Sequence, residues 1–323
     1  LEKAYRVKEK YFGRNVYLRG LVEFSNICSK NCFYCGIRHE NKSVERYEVG
    51  VNEVVGAVTY AWKNGFGSIV VQSGERDNKA FVSKITKLLR AIHKETNNEL
   101  GITLSCGEQS KETFETWKGA GAHRYLLRIE ASNPALYKKL HPDDEHHSFD
   151  KRIENLYLLK RTGFMTGTGV MIGLPFQELE DLANDLAFMR ELDIDMCGMG
   201  PYVEHHETPF YQFKHLLPPL SKRFDLTLNM IALLRIMMKD INIASTTAMQ
   251  AIDPKGREKG FLSGANVIMP NITPKKYRDN YFLYENKPMS KNNIDDQMDE
   301  LVNSIESIGE RVAFGKTGHP VHY

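Results

Sequence analysis

The sequence Glu23-Phe24-Ser25-Asn26-Ile27-Cys28-Ser29-Lys30-Asn31-Cys32-Phe33-Tyr34-Cys35-Gly36 joins an apolar run, residues 16–25, to a polar loop holding three of the chain's five cysteines. The run reads as a buried strand. The loop has the spacing Cys-x3-Cys-x2-Cys. Three soft thiolates in one short loop suit three corners of an iron–sulfur cubane, which leaves one iron open to chelate a small molecule. Zinc is the competing metal, but a closed zinc site wants four ligands, and His39 is the nearby candidate for a fourth.

Outward from this loop the chain alternates. Further strand candidates are residues 68–73, 101–105, 124–130, 167–173, 195–201, 243–247 and 266–270. Between them lie helical patterns over 51–64, 79–96, 111–119, 152–162, 177–192 and 225–239, with start signals at Asn52 and Ser110. Eight β/α alternations predict parallel strands with crossover helices, and eight is the number that closes a TIM-type (β/α)8 barrel. An open doubly wound sheet is the alternative, yet no Gly-x-Gly-x-x-Gly follows the first strand. Polar and small residues gather at the strand ends, as in Gln72-Ser73-Gly74-Glu75, Ser105-Cys106-Gly107-Glu108 and Arg128-Ile129-Glu130. In a barrel these ends share one mouth, where active sites sit.

The 323 residues show no linker or low-complexity tract and read as one domain, 1–323, with a helical lead-in (1–14) and a C-terminal extension (285–323). Lys and Arg number 43 against 41 Asp and Glu, so nothing favours a nucleic-acid partner. No 18-residue apolar stretch exists. The best, residues 230–238, is short and broken by Arg235, which excludes a membrane-spanning helix as the expectation. No signal peptide is read at the start, and a cytoplasmic protein is expected. The chain opens on Leu1 rather than Met, which suggests a longer gene product.

The loop Cys28-x3-Cys32-x2-Cys35, with Tyr34 before its last cysteine, resembles the cluster loop of the radical S-adenosylmethionine (SAM) superfamily. The remainder is similar to the HydE-type branch of FeFe-hydrogenase maturases, related to biotin synthase. The similarity runs through residues 18–26, Arg124-Tyr125-Leu126-Leu127-Arg128, Gly173-Leu174-Pro175, Thr246-Thr247-Ala248-Met249 and residues 264–271. The resemblance implies one 4Fe–4S cluster on Cys28, Cys32 and Cys35, and SAM as second cofactor. It implies that Tyr34, Ser73, Gly74, Glu75, Arg128, Glu130, Arg152 and Met196 serve SAM. Ser73-Gly74-Glu75 would take the methionine ammonium, Glu130 the ribose and Arg152 the carboxylate. Arg128 and Glu130 lie two apart, so on a strand they share a face, and a simple salt bridge between them is the competing reading.

Gln72, Thr103, Thr246, Thr247, Tyr281 and Tyr284 would line the substrate cavity, with Met196 at its edge, and Thr246-Thr247 also suits an anion. Tyr277, Tyr281 and Tyr284 recur at helical spacing. His141, His146, His147, His205 and His206 read as solvent-exposed loop. Cys106 and Cys197 read as small buried apolar residues. No cysteine follows Tyr284, so a single cluster is expected. Arg76-Asp77-Asn78 departs from the acidic-Pro loop expected there.

The implied activity is generation of a 5′-deoxyadenosyl radical that attacks the sulfur of a cysteine-bound Fe(CO)2CN precursor of the hydrogenase H-cluster. Implied partners are that organometallic or another small molecule, an electron donor such as ferredoxin or flavodoxin, and other maturases. The alternative is a relative acting on an organic substrate, by sulfur insertion, methylornithine formation or lipoyl-type chemistry. A monomer is expected, with neither nucleic acid nor membrane as partner.

Overall fold

The computed structural model describes residues 1–288 and 294–322, the side chains of 294–297 excepted. Eight parallel strands build one curled sheet: β1 (Asn15–Ser25), β2 (Ser68–Ser73), β3 (Gly101–Ser105), β4 (Arg124–Leu126), β5 (Met165–Thr168), β6 (Met196–Cys197), β7 (Asn242–Ile243) and β8 (Val267–Ile268). Their order is β8-β1-β2-β3-β4-β5-β6-β7. Two short pieces, Met171–Ile172 and Gly200–Pro201, continue β5 and β6 as a parallel pair. The last strand meets the first, with Tyr17 opposite Val267. At the seam between β7 and β8, a bridge joins Ala244 to Val267. There the Asn266 amide donates to the Ile243 carbonyl (2.9 Å) and the Ser245 amide to that of Val267 (2.9 Å).

The strands are apolar on both sides because helices cover the outside and side chains fill the inside. Leu18, Val22 and Phe24 of β1 pack into the main core. The alternate residue Arg19 reaches inward to Met196 on the far strand. The crossover helices include α2 (Val51–Lys63), α3 (Lys79–Glu95), α4 (Lys111–Gly119), α5 (Pro134–Leu140), α6 (Phe149–Arg161), α7 (Leu179–Glu191) and α8 (Leu220–Met237), after a leading helix α1 (Glu2–Phe12). Ser110 caps α4 by accepting the Thr113 amide (3.2 Å). Asn52 does not start α2: Gly50 is the cap, and its amide donates to the Glu53 carboxylate (3.4 Å).

Three further expectations change. The strand expected over 124–130 stops at Leu126, because Glu130 adopts φ 66° and the Ile129 amide turns to the Thr168 hydroxyl. Tyr277, Tyr281 and Tyr284 share no helix face, since the helix there spans only Lys275–Arg278. His141, His147 and His205 are buried rather than exposed; only His146 and His206 lie in solvent.

After helix Ile294–Ser307, β9 (Arg311–Val312) pairs with the start of β1. The tail then crosses the bottom of the barrel. Arg19 and Asn242 donate to the Gly318 carbonyl (3.1 and 2.8 Å), and Arg124 donates to that of Thr317 (2.7 Å). Among the described residues no helix is long and apolar enough to cross a membrane.

Candidate active site

The cysteine loop leaves the end of β1 and is braced on every side. Arg46 donates to the carbonyls of Asn26 (2.6 Å), Ile37 (2.8 Å) and Asn41 (3.0 Å). The Phe33 amide bonds the Leu140 carbonyl (2.9 Å), and the Gly36 amide that of Leu283 (3.0 Å). Gly36 has no room for a side chain: a Cβ would stand 2.6 Å from the His205 ring. The Cys28 sulfur accepts the amides of Lys30 (3.4 Å) and Glu75 (3.3 Å). Burial pushes all three thiols up, Cys32 to about 12, so as thiolates they require a cation.

Among the described residues no three His, Cys, Asp or Glu side chains converge on a single metal ion. A cubane places its three cysteines on three separate irons and does not need such convergence. The donor set therefore fits a cluster. His39 is turned to the Cys28 carbonyl (3.2 Å), not into the loop as a fourth ligand.

Ser73-Gly74-Glu75 ends β2 against this loop. A Cβ on Gly74 would collide with the Ile27 carbonyl and lie 2.9 Å from Cys28 Cβ. The Glu75 carbonyl is already taken by the amide and hydroxyl of Ser29, both at 2.8 Å. What Glu75 offers is its carboxylate, and that sits in a ring of four charges. Lys30 contacts Glu75 and Glu108, each at 3.0 Å. Arg152, from the first turn of α6, contacts Glu108 at 2.6 Å and Glu75 at 3.5 Å. Burial raises the Glu75 carboxyl above its ordinary value, whereas Arg152 and Lys30 overcome burial at Glu108 and hold it low. The expected role of Arg152 thus starts from a guanidinium already engaged.

Past β4, Arg128 and Glu130 pair at 2.9 Å, and Arg128 also donates to the Val170 carbonyl (3.0 Å). Only one Glu130 oxygen is used. The other, Oε2, is buried without a partner. A left-handed backbone and an unsatisfied buried carboxylate oxygen coincide at this one residue. Tyr34 packs nearby in a second apolar cluster with Leu136, Tyr202 and Phe210, its ring edge-on to His141.

Deeper in the barrel, Gln72 donates to the Tyr281 hydroxyl (3.2 Å), and Tyr281 is 1% exposed. A cavity of about 590 Å³ lies between the end of β8, the helix Gly256–Leu262 and the helix Ile294–Ser307, with Leu21, Glu23, Thr247, Arg257, Met269 and Asn271 in its lining; Thr247 is there as expected, whereas Gln72, Thr103, Thr246, Tyr281 and Tyr284 are not. Thr246 is not in a strand but precedes the short helix Thr247–Ile252, and its hydroxyl is buried and unpaired. The Thr247 hydroxyl accepts from Arg257 (3.1 Å). Burial lowers the Tyr284-flanked Arg257 guanidinium from its usual value, and its Nε has no partner. Thr103, with another unpaired hydroxyl, and Met196 belong to the floor beside Arg19. Met196 opens its strand at the end opposite the cysteine loop, so the structure does not bring it together with Glu75, Arg152 and Glu130.

Lys30, Glu108 and Arg257 carried no assignment from sequence. Glu108 stood in a polar strand end and Lys30 inside the cysteine loop, so a signal existed for two of them. Arg257 sits on a helix remote from any motif. Cys106 and Cys197 are buried, at 0% and 2% exposure, as expected.

The family model for the radical SAM superfamily matches residues 22–189, the segment that supplies the loop and the charge ring. The chain belongs to the radical SAM superfamily. As a radical SAM enzyme it uses a 4Fe–4S cluster and SAM. It is 45% identical to the [FeFe] hydrogenase maturase subunit HydE of Thermotoga maritima, over 88% of this chain and 78% of that protein, and so falls in the HydE family. Solved structures with the same fold include methylornithine synthase PylB (TM-score 0.79, 22% identity, 97% of this chain and 88% of that one). Another is the FeFe-hydrogenase maturase HydG from Carboxydothermus hydrogenoformans (TM-score 0.80, 21% identity, 97% and 71%).

Proposed function

We propose that this radical SAM enzyme serves hydrogenase maturation by acting on an organometallic iron precursor inside its barrel. The similarity to HydE supports the pathway. The observation that carries the substrate class is Arg257: a half-buried residue whose guanidinium Nε is buried without a partner and whose other end donates to the Thr247 hydroxyl (3.1 Å), next in sequence to the unpaired hydroxyl of Thr246. A buried charge needs a partner, so the cavity asks for an anionic group such as the carboxylate of a metal-bound cysteine.

Cys28, Cys32 and Cys35 would hold the cluster, Glu75, Arg152 and Glu130 the SAM, with Tyr34, Ser73, Gly74 and Arg128 framing it. When bound, these cofactors supply a 5′-deoxyadenosyl radical, whose target in this reading is the sulfur of a cysteine-bound Fe(CO)2CN unit. The residues around the cavity bind and orient that unit, and the closed barrel keeps water away. An electron donor such as ferredoxin or flavodoxin, a cytoplasmic setting and partner maturases complete the proposal.

Replacing Thr246 and Thr247 together by Val removes two hydroxyls at nearly constant shape. SAM binding should survive while hydrogen production from an apo-hydrogenase, mixed anaerobically with the partner maturases, falls sharply. If the wild-type chain supports no maturation yet cleaves SAM on an organic thiol or amino acid, the hydrogenase role is wrong and the organic-substrate reading replaces it.

A further inference from the structure

We propose that Lys30 and Glu108 complete the subsite for the amino-acid end of SAM by keeping it electrically neutral, both empty and filled. The inference rests on the reading of the cysteine loop as a SAM-cleaving centre. Lys30 is 7% exposed, and its ammonium spans Glu75 and Glu108 while also donating to the His146 carbonyl. Arg152 spans the same two carboxylates and is anchored from behind by the Arg128 carbonyl (3.0 Å). Two cations and two carboxylates sum to zero.

Three sides of this ring are short: 3.0, 3.0 and 2.6 Å. The fourth, Arg152 to Glu75, is 3.5 Å and is the weak side. The amino-acid end of SAM carries one ammonium and one carboxylate. Placed at the weak side, the ammonium meets Glu75 and the carboxylate meets Arg152. One internal pair is exchanged for two, and no uncompensated charge is left in a buried site. Lys30 and Glu108 stay where they are. With one of them removed, the ring would keep an uncompensated unit charge in a buried site and the neutral exchange would fail. Both are positioning residues, since they act on SAM through Glu75 and Arg152.

Lys30→Met keeps the length of the side chain and leaves the ring one unit negative, which opposes the incoming carboxylate. After anaerobic reconstitution, iron content should match wild type, because no sulfur ligand changes. SAM affinity, measured by equilibrium binding, should fall by about tenfold or more, the scale of truncating one member of a buried charge pair. The change in the EPR signal of the reduced cluster on adding SAM should require correspondingly more SAM. Glu108→Gln, with the opposite charge error, should weaken binding as well. Combining the two restores neutrality, and affinity should return to within about threefold of wild type, a coupling that a merely structural clip would not give.

Unchanged SAM affinity in both single variants overturns the proposal, as does a double variant no better than the singles. Should Lys30→Met fail to load iron, Glu108→Gln alone carries the test: weakened SAM binding at full iron content is expected, and unchanged affinity overturns the proposal. A wild-type protein that loads iron but binds no SAM brings down the underlying reading, and this one with it.

Discussion

Glu130 combines a strained backbone with a half-used carboxylate. A non-glycine residue at φ 66° costs about 1–3 kcal/mol and persists where its surroundings over-determine it. Arg128 holds one of its oxygens and leaves the other buried and unpaired. Glu130→Gln should therefore leave iron content intact and weaken SAM binding by about 1–3 kcal/mol, the range for a lost charged hydrogen bond. Equilibrium binding checks this, and unchanged affinity would return Glu130 to a structural salt bridge. His141 makes a different case. It is stacked on Tyr137 at 4.0 Å, donates to the Tyr137 carbonyl (2.8 Å), and burial holds it down at about 3. Its unfolded value is near 6.5, so between about pH 6.5 and 3 the unfolded chain binds the extra proton. The stability it contributes is complete above that window and is lost as pH falls through it. Urea unfolding of the iron-free protein across this range should show a shallower decline for His141→Phe than for wild type; equal slopes would refute the assignment. From sequence these histidines looked exposed because a polar loop was all that their neighbours signalled. The stacking of His141 on Tyr137 is local, four residues apart, but its cover by Tyr34 comes from the distant cysteine loop and is a tertiary fact.

At the scale of strands, helices and loops, the legible parts were those whose pattern is local. β2, β3 and α4 fall on the residues expected, since a continuous apolar run and a serine cap are readable without knowing the fold. β4 and the tyrosine series were misread for a shared reason: spacing says which residues could share a face, not whether the backbone stays regular. A positive φ at Glu130 and a helix of four residues at Lys275–Arg278 ended both patterns early. The spacing of the three cysteines in one loop is local and so is readable in the sequence. The charge ring is not, because Lys30, Glu75, Glu108 and Arg152 come from four separate elements. The loop-to-strand junction gives a direct test. With the Ile27 carbonyl and Cys28 Cβ against Gly74, Gly74→Ala must push the cysteine loop outward. A core-like overpacking cost of about 1–3 kcal/mol applies. Iron retained after reconstitution and desalting should drop well below wild type, and full retention would show that the loop yields without loss.

For the molecule as a whole, the barrel is closed above by the cysteine loop and below by its own tail, and both closures involve β1. Gly318 sits at φ 59° under Tyr17, where a Cβ would come within 2.7 Å of the ring. Gly318→Ala should lower the melting temperature, by roughly 4 °C for about 1–2 kcal/mol in a domain of this size or somewhat less. An unchanged melting temperature would mean that the tail is not part of the cooperative unit. Nothing in residues 285–323 advertised this role. A two-residue strand and a run of carbonyls leave no periodic trace, and the expectation of a mere extension reflects that. The arrangement has a consequence for biosynthesis. Arg19 and the carbonyl it holds are 299 positions apart. During synthesis β1 must wait for this neighbour until all the intervening chain has been made, and closing so long a loop is slow and entropically costly. Until then the interior is reachable from beneath, so a nascent barrel has a second doorway that the finished one lacks.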